Sequence, residues 1–221
     1  MSRPIAGTLG ERYLRNRGVT ALTDLLALRF HAECRWRADA RSPPEARPAM
    51  IAAVTDLAGR LTGVQRSWLD PQGFSETTFG KAPIEPARKA MGELYGHAVR
   101  FGAPGEVMAV GEGVETVLSL RSALPALSMA AALSAANLAA MFIPETVRRL
   151  YIAQDKDPAG ERAAMTLAER VAERGVEAII LAPRYGDFND DLLLHGVEDL
   201  RNALRRQLFS RDATRLLTPA R

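Results

Sequence analysis

Apolar residues follow two different rhythms along this chain, and the change falls near residue 104. In the front part, AMIAAVTD and LTGVQRSWL are strand-like runs separated by LAGR, which predicts an antiparallel hairpin. Ahead of them, AGTLGERYLRNRGV predicts a short helix with Thr8 as N-cap and Gly18 as its stop. The Pro- and Arg-rich stretch RADARSPPEARP reads as a loop, the run from Asp70 to Pro86 as irregular chain, and ARKAMGELYG as a short helix ending at Gly96.

From Pro104 onward, apolar runs of strand length alternate with helical ones. EVMAV, ALSMA, RLYIA and EAIILA predict strands. VETVLSLRSAL, LSAANLAAMF and the stretch from Ala159 to Arg174 predict helices, with one or two more running through Phe209. Short buried strands alternating with helices predict an α/β fold, a mainly parallel sheet with helices on both faces, here preceded by a smaller basic α+β subdomain. The expected organisation is a front subdomain over 1–104, a second domain over 105–210, and a flexible basic tail over 211–221 carrying Arg211, Arg215 and Arg221.

Composition narrows the classes. The chain has 221 residues, 47% hydrophobic and 25% charged, as a globular protein does. No apolar run approaches the roughly 18–20 residues that span a bilayer, and MSRPIAGTLGERYLRNRG lacks the apolar core of a secretion signal, so a cytoplasmic location with no membrane partner is expected. A single cysteine, Cys34, excludes an intrachain disulfide framework, and with three histidines (His31, His97, His195) a tetrahedral Cys/His zinc site is not expected; His31 and Cys34 in FHAEC read as local packing. The net charge of +3 is unevenly spread: residues 1–104 hold 15 Lys+Arg against 10 Asp+Glu, and residues 105–221 hold 14 against 16. A basic front and a slightly acidic back suit an anionic polymer held by one part and worked on by the other.

The acids of the back half fall at particular places. Glu112 follows VMAV across Gly111, Asp155 and Asp157 follow LYIA, and Asp187, Asp190 and Asp191 follow AIILA after a short loop. In an open parallel sheet all strand C-ends share one edge, where ligands bind. Crowded carboxylates raise one another's pKa, and a hard divalent cation with oxygen ligands removes the conflict. Each acid also has a local alternative: Glu112 or Asp155 as a helix cap, and Asp187 to Asp191 as a solvated turn followed by a cap. Gly111 and Gly113 flank Glu112 as in a turn that backbone or phosphate approaches closely, although no Gly-Lys-Ser/Thr follows to make a P-loop.

VMAVGEGVETVLSL and LYIAQDKDPAGERAA resemble the strand–Glu–Gly and Asp-x-Asp motifs of the Toprim domain, and GDFNDDLL resembles the Asp-x-Asn-Asp segment of primase–helicase relatives; together they cover residues 105–205. In the front half YLRNRGV, VTDLAGRLTGVQRSWL and FGKAPIEPARKAMGELYG resemble, more loosely, the basic subdomain that precedes Toprim in primases. The resemblance, closest to the primase-type proteins of phages, plasmids and mobile elements, implies a Toprim-like fold and phosphoryl transfer assisted by Mg²⁺ or Mn²⁺, with two ions about 3.5–4 Å apart. It implies Asp155 and Asp157 as metal ligands, Asp187 and Asp190 completing the site or holding a second ion, and Glu112 as ligand or general base. Arg66, Lys81, Arg88 and Lys89 would hold template or nucleotide, and Trp68 is either core or a platform for a base. The implied substrates are single-stranded DNA and nucleoside triphosphates, with a helicase or zinc-binding protein as partner. The sequence departs from primases in lacking the cysteines of a zinc module and a Walker motif, and Glu115 stands where primases often carry Asp. The expectation is therefore a primase-type enzyme that is a fragment, a subunit relying on partners, or a relative that has lost initiation. The alternatives are a nuclease using the same acids and a non-catalytic binding module.

Overall fold

The computed structural model describes residues 1–73 and 80–217. Five antiparallel strands form the front sheet in chain order: β1 (Arg3–Pro4), β2 (Leu28–Trp36), β3 (Glu45–Thr55), β4 (Leu61–Trp68) and β5 (Arg88–Gly92). The hairpin expected from the sequence is β3–β4, with Ala49 opposite Trp68 and Val54 opposite Gly63. Helix α1 (Leu9–Asn16) starts at Thr8, whose Oγ1 accepts the N–H of Gly10, and stops before Gly18, which takes a left-handed φ of +73°.

One front strand had no counterpart in the sequence reading, and one front element differs from it. FHAEC lies within β2, where a register shift between His31 and Cys34 breaks the period-2 alternation that marks a strand. ARKAMGELYG is not a helix: Arg88–Gly92 adds to the sheet as its edge strand. The ladder overrides the helical propensity of Ala, Arg, Lys and Met because Gly63 and Gly92 let the two backbones meet. A Cβ on Gly92 would lie 2.5 Å from the Thr62 carbonyl oxygen.

The second sheet comprises β6 (Val99–Phe101), β7 (Val107–Gly111), β8 (Ser128–Ala131), β9 (Arg149–Ala153) and β10 (Glu177–Leu181), in the order β10-β9-β7-β8-β6. All neighbours are parallel except the edge strand β6. Its helices are α2 (Val114–Ala123), α3 (Ala135–Ala140), α4 (Pro158–Ala172), α5 (Phe188–Arg205, broken at Gly196) and α6 (Ser210–Leu217). Period 2 divides the core. Ala109, Met129, Tyr151 and Leu181 face α2 and α5 on one side, while Met108, Val110, Leu150 and Ile152 face α3 and α4 on the other. The protein is thus α/β, a mainly parallel sheet with helices on both faces, preceded by an antiparallel subdomain.

The halves are joined by more than the chain. Phe30, Met50, Ala52 and Val54 from the front sheet share a core with Val99, Phe101, Ala109 and Leu118. Strand β6, on the front side of residue 104, pairs with β8 in the second sheet. The tail expected from residue 211 is helical through Leu217. Leu216 is buried, and Asp212 accepts hydrogen bonds from the Tyr151 hydroxyl (2.7 Å) and Arg149 Nη1 (2.8 Å). Residues 218–221 lie outside the described residues. Among the described residues no helix is long and apolar enough to cross a membrane.

Candidate active site

Strands β10, β9 and β7 are immediate neighbours and end in register, Leu181 opposite Ala153 and Ala153 opposite Gly111. Adjacent strands lie about 4.8 Å apart, so the loops that follow them open side by side. Glu112, Asp155 with Asp157, and Asp187 with Asp190 leave from those loops.

Asp155 sits at the middle. Its Oδ1 is buried and has no hydrogen-bond partner. Burial, and then the charges of Asp187, Glu112, Asp157 and Asp190, push its carboxyl up to about 7. Glu112 is half-buried and also raised, by burial first and then by Asp157, while Arg88 and the Ala135 N–H at the start of α3 hold it down. Leu133, at a left-handed φ of +77°, donates its N–H to the Glu112 carbonyl (2.8 Å) and fixes that loop. Glu112 does not cap α2, since the N-cap is Gly113. A Cβ on Gly111 would meet Val117 and Ala153 at 3.2–3.3 Å, so that glycine serves the close approach of helix and strand.

The capping role falls to Asp157, not Asp155: Asp157 Oδ1 accepts the N–H groups of Ala159 and Gly160. Asp187 caps α5 in the same way, its Oδ1 accepting from Asn189 and Asp190 and its Oδ2 from Thr116 Oγ1 at 3.3 Å. Burial, followed by the charge of Asp190, raises the Asp187 carboxyl. A capping carboxylate still has lone pairs for a second partner, so cap and ligand are compatible roles. Asp190 folds back over Gly186, where a Cβ would stand 2.6 Å from its Oδ2. Asp191 serves structure: it is buried and accepts the N–H groups of Arg184 and Tyr185.

Among the described residues no three carboxylate, His or Cys groups stand close enough to cage an ion. A hydrated divalent cation does not need that. Mg²⁺ keeps several waters and is bound through one or two carboxylates. The buried, unpartnered oxygen of Asp155, ringed by four acids, fits such an ion.

The four basic residues divide between opposite faces of the front sheet. Arg66 lies opposite Lys89, and Ser67 opposite Arg88, so alternation sends Arg66 and Lys89 outward and Arg88 inward. Arg88 Nη2 and Lys81 Nζ approach Glu115 Oε1 at 3.6 and 3.8 Å. Glu115 is wholly buried, receives a hydrogen bond from the Tyr13 hydroxyl, and is held at about 2, because those partners outweigh the burial that would raise it. Burial leaves Lys81 lowered, with Glu115 opposing the shift. Trp68 is fully buried among Cys34, Trp36 and Ala82, so it is core and not a stacking platform. Tyr13, Thr116 and the buried Asn189, which donates to the Arg17 carbonyl (2.7 Å) and Ser119 Oγ (3.0 Å), adjoin the carboxylates without having been given a role from the sequence, and Glu115 was noted there only as a departure from the primase pattern. The signal that could have flagged Asn189 is its place inside the segment GDFNDD.

Residues 107–198 match the family model described as the Toprim domain. The back half is a Toprim domain. Residues 1–101 match a family described as a domain of unknown function, DUF7146. No curated protein matches the chain. Among solved structures, the zinc binding and RNA polymerase domains of Aquifex aeolicus primase align at TM-score 0.60 and 15% identity over 92% of this chain. This chain spans 57% of that one. The primase fragment of the bacteriophage T7 primase-helicase protein aligns at 0.54 and 14% identity, over 94% of this chain and 75% of that chain. The RNA polymerase domain of Mycobacterium tuberculosis primase DnaG gives 0.54 and 18%, over 96% and 81%. These likenesses establish a fold shared with primases, and it runs across the front subdomain as well as the Toprim domain.

Proposed function

We propose that the chain carries out metal-dependent phosphoryl transfer on nucleic acid, as a primase-type enzyme making short oligonucleotides on single-stranded DNA from nucleoside triphosphates. The observation that carries this reading is Asp155: an unpartnered buried oxygen among four other acids, at the edge where the inward cations Lys81 and Arg88 also point. Asp155 and Asp157 would hold a Mg²⁺ or Mn²⁺ ion, with Glu112, Asp187 and Asp190 around it or around a second one. Bound there, the ion would neutralise charge on the phosphate oxygens. Glu112, whose carboxyl burial already raises, suits the general base that takes the proton of a 3′-hydroxyl. Lys81 and Arg88, kept charged and oriented by Glu115, would receive the triphosphate. A helicase or zinc-binding partner would supply what the T7 primase-helicase and the zinc-binding domain of the Aquifex primase have in their own chains.

That no three carboxylates cage an ion among the described residues favours one other reading, a non-catalytic nucleic-acid-binding subunit of a replication complex. Incubation with labelled single-stranded DNA, Mg²⁺ or Mn²⁺ and nucleotides separates the outcomes. Longer products that vanish in Asp155→Asn support synthesis. Shorter products that vanish in the same variant identify a nuclease, and unchanged DNA that stays bound identifies a binding module.

A further inference from the structure

The outward face of the front sheet holds a second basic site. From it we infer a binding pocket for a phosphate monoester or polyphosphate group, supplied by the 5′ end of a nucleic acid or by a free nucleotide. It goes beyond the reaction proposed above and does not depend on the carboxylate edge, which lies on the other side of the sheet.

Arg35, Arg37, Arg66 and Lys89 surround a cavity of about 360 Å³ whose floor is Trp68. The only acid lining it is Asp39, and that carboxylate already accepts the N–H groups of Arg41 (2.7 Å) and Ser42 (2.8 Å). Arg66 and Lys89 stand directly opposite each other on β4 and β5. Like charges in that position destabilise a sheet, and a local rule broken without a local gain marks function. Their bonds within the protein are few. Lys89 Nζ donates to the Arg37 carbonyl (3.0 Å), and Arg66 Nη1 donates to the Arg35 carbonyl (3.3 Å). Arg66 Nε is buried and has no partner, with its guanidinium stacked 5.1 Å above the Trp68 ring. A buried donor without a partner points to a missing water or anion. The buried indole beneath provides a low-dielectric wall that strengthens the positive field above it.

Charge selects the ligand. Arg66 and Lys89 side by side over the Trp68 floor, with the only lining carboxylate already engaged, overmatch a phosphodiester, with its single charge, and suit a monoester of charge about −2 or a polyphosphate. The alternation that separates Arg88 from Lys89 keeps such a group away from the reaction edge. A nucleotide lying between Lys81, Arg88 and the acids could not also fill this pocket.

Binding of sodium tripolyphosphate in EDTA, measured by calorimetry, tests the pocket without any contribution from metal or catalysis, so its outcome is independent of whether the chain makes primers. Lys89→Gln and Arg66→Gln should each weaken binding at least tenfold. Arg66→Gln keeps the test valid if loss of the Lys89 tie to the Arg37 carbonyl unfolds the protein. Absence of saturable binding to the wild type, or binding lost in Arg88→Gln and retained in both outer variants, would overturn the inference. A 5′-triphosphorylated oligonucleotide, its 5′-hydroxyl counterpart and free ATP then identify the source. Tighter binding of the triphosphorylated strand than of ATP indicates a nucleic-acid end, and the reverse indicates a nucleotide. Equal binding of the two oligonucleotides, with the same dependence on Lys89, would mean a diester track and sink the monoester assignment.

Discussion

Asp155 is the residue on which local cost and the proposed function meet. A carboxyl raised to about 7 in the folded chain, from an ordinary value of 3.8, binds its proton more tightly folded than unfolded. Its contribution to stability is therefore complete below about pH 4 and is lost as the pH rises through 7. Metal-free wild type should lose melting temperature relative to Asp155→Asn across that window, ending roughly 2–4 °C below the variant at pH 8, where each kcal/mol is worth about that shift. Calorimetric melts in EDTA at pH 4, 6 and 8 check this. A difference that does not change with pH would show that the Asp155 environment is not the crowded one described. Asp157 and Asp187 can cap helices and still serve the site: each commits Oδ1 to its helix, and even Asp187 Oδ2, which accepts from Thr116, keeps a lone pair for a second partner.

At the scale of elements, the start of α4 sets where Asp155 lies. A Cβ on Gly160 would stand 2.6 Å from the Asp155 carbonyl oxygen, so the helix can wrap against that loop only with glycine there. Gly160→Ala, although it favours a helix intrinsically, should cost about 1–3 kcal/mol through the forced backbone shift and weaken any response to divalent ions more than a surface Ala substitution does. Denaturant melts with and without Mn²⁺ read both effects. How much was legible follows from such local facts. The strands β7, β9 and β10 and the acids after them were readable because four or five apolar residues end abruptly at Gly111, at Gln154 before Asp155, and at Pro183. Their adjacency was not, because the order β10-β9-β7 is a property of the folded sheet and leaves no trace in chain order. Strand β2 was hidden by its bulge, and β5 by residues with high helix propensity. Reading β5 as a helix also concealed that Arg88 and Lys89 point to opposite faces. The arginines of α6 suggested a tail, while Asp212 and Leu216 anchor it to β9 and the core.

Across the whole molecule, one core is shared by the front sheet and the parallel sheet. The front subdomain brings Lys81 and Arg88 over the Toprim edge, and the single buried charge of Glu115 on α2 holds them there. Cations and acids thus face each other across the seam between the halves, where an anionic substrate would need both. That division of labour stands or falls on the acids holding a metal. A ligand that binds only the folded state stabilises it by about 2.7 kcal/mol at one hundred times its dissociation constant. The direct measurement is a calorimetric titration of the melting temperature with Mg²⁺ or Mn²⁺ into the millimolar range, on wild type and Asp155→Asn. The account predicts a saturable rise of about 5 °C or more in the wild type and none in the variant. A wild-type melting temperature that does not move, or an equal rise in both proteins, would contradict it.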